Sequence, residues 1–168
     1  MPESRTLYLI SGAKDGEGFW KIGSTKHLDP LEEDKKYFLE CFRREPVGES
    51  TAKELENAIL LNIENLIADC ISDGFDIHQS TEGISYDLPL NVLEDIFDFW
   101  FELYQQPEIW LKCLGLLKCR GKISFSDPAM LRGLKGFTAE WGSKIEALHR
   151  YRPPAPRKVR ETQEPMWG

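Results

Sequence analysis

Apolar and polar positions change period several times along the chain. Thr6-Leu7-Tyr8-Leu9-Ile10 is a β-rich run closed by Ser11-Gly12, and Gly16-Glu17-Gly18 supplies a turn before Phe19-Trp20-Lys21-Ile22-Gly23. This pattern predicts two adjacent antiparallel strands. Asp29-Pro30-Leu31-Glu32 then offers an N-cap, a proline at the first helical position and acids in the first turn, so a short helix is expected. Tyr37 to Phe42 reads as a third strand, ended by Arg43-Arg44-Glu45-Pro46-Val47-Gly48.

From Ser50 or Thr51 the period becomes helical, with Leu55, Ile59, Ile63, Leu66 and Ile67 on one face and Asp73-Gly74 closing the helix. Phe75-Asp76-Ile77-His78 alternates like an edge strand. Thr81-Glu82-Gly83 turns, and Ile84 to Leu88 reads as another extended piece. A second helix from about Pro89 carries Val92, Leu93, Ile96, Phe97, Trp100, Phe101 and Tyr104 over a broad apolar face that needs covering. Gln105-Gln106-Pro107 breaks it.

Beyond this point Ile109 to Cys119 reads as a helix, Asp127-Pro128 starts a short one, and Phe137, Trp141, Ile145 and Leu148 line a face of another. Arg152 to Gly168 holds four prolines and few apolar residues, so it is expected to be extended. The pattern gives an α+β domain over residues 1–106, with a small three-stranded antiparallel sheet and flanking helices. A basic helical appendage over 107–151 is expected to fold back on it, followed by a Pro/Arg-rich tail over 152–168.

Composition narrows the class. Hydrophobic residues make up 41% and charged residues 29% of the 168, which fits a globular chain and neither a disordered nor a collagen-like one. The most apolar region, Leu88 to Leu117, is interrupted by Glu94, Asp95, Asp98, Glu102, Glu108 and Lys112, so it lacks the ~18 uncharged residues of a membrane span. The first residues lack a signal-peptide layout, which points to an intracellular setting: cytoplasm, nucleus or virion. Cys41, Cys70, Cys113 and Cys119 match no zinc or redox spacing, and His27, His78 and His149 are scattered, so reduced thiols and ordinary histidines are expected.

Charge is divided unevenly. Residues 1–100 carry nine Lys/Arg against 21 Asp/Glu, whereas residues 101–168 carry twelve against seven. An acidic field repels a phosphate backbone, while the basic C-terminal part suits nucleic acid, a protein partner or the acidic part of its own chain.

Thr6-Leu7-Tyr8 followed by Lys21-Ile22-Gly23-Ser24-Thr25 resembles the GIY-YIG nuclease superfamily, and Lys-Ile-Gly in the second motif resembles its bacteriophage T5 Orf172-type DNA-binding branch. Ala52-Lys53-Glu54-Leu55-Glu56-Asn57 and Glu82-Gly83-Ile84-Ser85-Tyr86-Asp87-Leu88 fall where that branch has its helix glutamate and its closing aromatic segment, and the resemblance covers about residues 6 to 104. It implies phosphodiester hydrolysis: Tyr8 activating water, Lys21 in the second motif, and Glu56 holding a single Mg²⁺ or Mn²⁺. Gly23, Ser24, Lys26, His27 and Lys35 are the implied nucleic-acid contacts, with Gly23 letting the backbone approach a phosphate.

One part of the pattern is missing. The arginine of the family's first helix falls on Leu31, which cannot stabilise an anion. Lys26, Lys35 and Lys36 are the nearby substitutes, and losing such a cation typically costs ~3–4 kcal/mol of transition-state stabilisation. Two function classes follow. One is a catalytically degenerate GIY-YIG-like module that binds DNA, cutting with metal only if active. The other is a non-catalytic protein-interaction or structural component of a viral or multi-protein assembly.

Overall fold

The computed structural model describes residues 4–78, 83–111 and 139–154. Strands β1 (Ser4–Lys14) and β2 (Glu17–Thr25) form a hairpin whose turn is Asp15-Gly16, both with positive φ. That two-residue Asp-Gly turn closes one residue earlier than the expected Gly16-Glu17-Gly18, because its twist matches that of the paired strands. A 3₁₀ turn, Pro30–Glu33, follows, and Asp29 Oδ1 caps it by accepting from the Leu31 N–H at 3.1 Å.

Strand β3 (Phe38–Gly48) lies antiparallel to the other side of β1. It runs through Arg43 to Val47, where the sequence pattern predicts its end. As an edge strand it tolerates Pro46, opposite Thr6, without breaking an inner ladder.

The sheet has four strands in the order β3-β1-β2-β4, one more than expected, with β4 a two-residue piece, Ile84–Ser85, paired to Lys21 and Trp20. Gly83 makes this pairing possible. Its φ is +83°, its carbonyl accepts from the Ile22 N–H at 3.0 Å, and a Cβ there would collide with the Ile22 carbonyl. Phe75 to His78, expected as an edge strand, is not in the sheet. The His78 backbone N–H and imidazole Nδ1 both bond Asp87 instead, at 2.6 and 2.7 Å.

Alternation along β1 divides the interior. Leu7 and Leu9, with Ile22 and Val47, face helices α1 (Glu49–Ser72) and α2 (Leu90–Tyr104), while Tyr8 and Ile10 join Phe19 and Phe38 in a smaller cluster under the 3₁₀ turn. The larger core is built from the helical faces expected above, including Leu55, Ile59, Ile63, Ile96, Phe97 and Trp100. Across it, Arg43 of β3 bonds Glu94 at 2.7 Å and Asp98 at 2.9 Å, tying the sheet edge to α2.

The described part of the C-terminal region packs on α1 and α2. Helix α3 (Ala139–Leu148) buries Trp141 and Ile145 in the main core, with Trp141 edge-on to Phe99 at 5.6 Å. A polar chain runs beside it. Trp100 Nε1 donates to Asn62 Oδ1 at 2.9 Å, so the Asn62 amide N–H donates to His149 Nε2 at 3.0 Å. Asp69 lies 3.4 Å from the other imidazole nitrogen, and Arg152 bonds Asp73 at 2.7 Å.

Residues 107–111 are helical, but most of the expected 109–119 helix, the short helix near Asp127-Pro128, Phe137, Cys113, Cys119 and the tail beyond 154 lie outside the described residues. Among the described residues, no helix is long and apolar enough to cross a membrane.

If α3 completes the core, Trp141→Ala should lower unfolding free energy by about 3 kcal/mol in a denaturant titration. An unchanged midpoint would mean that α3 contributes nothing to the fold.

Candidate functional site

The antiparallel register places Tyr8 directly opposite Gly23. Tyr8 is 1% exposed, and a Cβ on Gly23 would lie 2.7 Å from its hydroxyl oxygen and 3.0 Å from its Cζ. Gly23 therefore makes room for the phenol of its own sheet. The close approach that the resemblance implies for a phosphate is occupied on this face by Tyr8.

The 3₁₀ turn closes the same region. Leu31 packs, half-buried, on the cluster around Tyr8, and the Glu33 carboxylate of the same turn acts on the Tyr8 hydroxyl. Burial, then the charge and hydrogen bond of Glu33, then the charge of Glu56, hold the phenol far above its ordinary range. A residue in that state keeps its proton and is a poor base for activating water.

Lys21 is two positions along β2 from Gly23 and shares its face, with Nζ 5.3 Å from the centre of the Phe38 ring. Ser24 points to the other face. Its hydroxyl accepts from Arg5 Nε at 3.3 Å and its carbonyl from Arg5 Nη2 at 3.1 Å. Glu56, half-buried on α1, lies beside Ser24 and lines the same depression. Burial raises the Glu56 carboxyl above the ordinary carboxylate range and the charge of Glu33 adds to this, while Ser24, Lys21 and Arg5 act against it.

The remaining expected contacts do not converge here. Lys26 and His27 are exposed after β2, with the His27 backbone N–H bonded to Thr25 Oγ1 at 3.2 Å. Lys35 follows the 3₁₀ turn, exposed, where its ammonium pairs with Glu32 at 2.8 Å. It is not one helical turn from Leu31, because the turn ends at Glu33.

Two residues of the site escaped the sequence reading. Arg5 reaches Ser24, and acts on Glu56 through its charge, because the Thr6–Thr25 pairing sets it diagonally across from Ser24. Glu33 looked like an ordinary acid of the first helical turn, and its role appears only when the cap at Asp29 sets the turn over Tyr8.

Glu56 opens on a depression of about 410 Å³ whose other lining residues are Arg5, Ser24, Glu49 and Lys53. A divalent cation completed by water and phosphate oxygens needs only one or two carboxylates, and Glu56 fits that use. Among the described residues no three His, Cys, Asp or Glu side chains gather into a metal cage. No family model, curated protein or solved structure matches the chain.

Two outcomes test this geometry. Gly23→Ala should cost about 2 kcal/mol by overpacking Tyr8, and adding Tyr8→Phe should return part of the loss, since the hydroxyl is the nearer obstacle; purely additive effects would contradict the contact. A carboxyl with a raised native pKa weakens the fold progressively as pH rises from its unfolded pKa to its native one, and fully above that. Glu56→Gln should therefore stabilise the chain at pH 7, and the gain should vanish as pH falls below about 4. A Glu56→Gln effect that grows on acidification would contradict it.

Proposed function

We propose that the chain is a GIY-YIG-type domain that has lost phosphodiester cleavage and works as an interaction module for a protein partner. The order strand, strand, helical turn, strand, helix, with β1 inside the sheet and Glu56 brought to Ser24 by α1, supports the scaffold part of this reading. The loss of cleavage is carried by one observation. Where an anion-stabilising cation would stand there is a packed Leu31, and beside it burial, with the charge of Glu33 added, keeps the Tyr8 phenol protonated. A carboxylate in that place repels a phosphate as well as failing to stabilise one.

A second reading, DNA binding, is favoured by the depression on the other side of β2. Arg5 and Lys53 there suit phosphate oxygens, and Glu56 would hold a Mg²⁺ or Mn²⁺ that neutralises phosphate charge when bound. Glu49 and Glu56 balance those two cations, and the acidic surplus of residues 1–100 opposes DNA encounter, so the protein partner is the stronger reading.

The test is incubation of the full chain with supercoiled plasmid and Mg²⁺ or Mn²⁺. Wild type and Glu56→Ala are expected to leave the plasmid intact equally, and Leu31→Arg alone should stay silent because Glu33 remains. Metal-dependent nicking by wild type that Glu56→Ala abolishes would overturn the proposal.

A further inference from the structure

Between the β1–β2 hairpin, the 3₁₀ turn and β4 lies an open groove of about 600 Å³. Tyr37, Phe38 and Tyr86 supply aromatic surface, and Tyr86 is 39% exposed. Asp15, Glu17, Glu33 and Asp34 bring four carboxylates to the same groove, against the two ammoniums of Lys14 and Lys21.

Two of these rings, Tyr37 and Phe38, are already in use as cation acceptors. Lys14 Nζ lies 5.2 Å from the centre of Tyr37, Lys36 Nζ lies 5.3 Å from the same ring, and Lys21 Nζ lies 5.3 Å from Phe38. Aromatic faces attract cations through their quadrupole, and the surplus of carboxylates makes the groove more favourable still for positive charge.

We propose that this groove receives a basic segment of a protein partner, with an arginine or lysine side chain laid against Tyr86 and on Tyr37, there in place of the chain's own ammoniums. The proposal rests on the interaction reading above and names its partner's chemistry. Lys14 and Lys36 are then internal competitors: tethered cations that occupy the Tyr37 ring until a guest displaces them. A phosphate-bearing ligand needs those same lysines as contacts, so the two classes of ligand predict opposite effects of removing them.

The experiment titrates the full chain with a capped peptide of alternating Gly and Arg, and separately with a single-stranded oligonucleotide, following backbone amide shifts. The peptide should move the amides around Tyr37 and Tyr86. Tyr86→Ala and Glu17→Gln should each weaken binding about threefold, by loss of a ring face or a carboxylate. Lys14→Ala with Lys36→Ala should tighten it about threefold by removing the competition for Tyr37. Weaker peptide binding in the lysine double variant, or oligonucleotide binding here that the double variant abolishes, would overturn the proposal. Peptide shifts on another face, unaffected by Tyr86→Ala, would overturn the groove while leaving the interaction reading standing. No peptide binding at all would count against both.

Discussion

The pairing of Tyr8 with Gly23 in an inner strand is the constraint on which the site depends. Strand alternation sends Leu7 and Leu9 to the helical side and Tyr8 to the other, so a one-residue slip would exchange the contents of both clusters. The register therefore has the larger core behind it. With it in place, the phenol needs the space that only a residue without a Cβ leaves, and the 3₁₀ turn capped by Asp29 covers what remains.

The electrostatics follow from that burial. A phenol with almost no exposure is costly to ionise, and the neighbouring Glu33 and Glu56 charges make it costlier. The same two carboxylates raise the cost of bringing in a phosphate, while Arg5, Lys21 and Ser24 offset part of the charge of Glu56. The site consequently keeps the Tyr8 proton, and its charge favours cations over anions on the hairpin side, where carboxylates outnumber the lysines.

Much of the architecture was legible because it depends on periodicity. The hairpin, the helix with Leu55, Ile59 and Ile63, and the apolar face of α2 all follow from residues that must be buried together. The failures share a cause, which is dependence on distant partners. The pairing of β4 is two residues long and relies on Gly83, which local propensity does not reveal. Phe75 to His78 alternates and buries Ile77, yet its backbone is held by Asp87. At the site, Leu31 was readable as a missing cation, but Arg5 and Glu33 acquire their roles through register and capping. The bond between Asn62 and His149 spans 87 residues and has no local signature.

The central claim is that Tyr8 is a sealed structural phenol rather than a catalytic one. Its side chain labelled with ¹³C at Cζ reports ionisation directly by NMR as pH is raised. The account predicts that the Tyr8 signal stays at its protonated position past about pH 11, where a free tyrosine, with its pKa near about 10, is mostly ionised. Titration of Tyr8 at or below that ordinary value, in the folded chain, would contradict it.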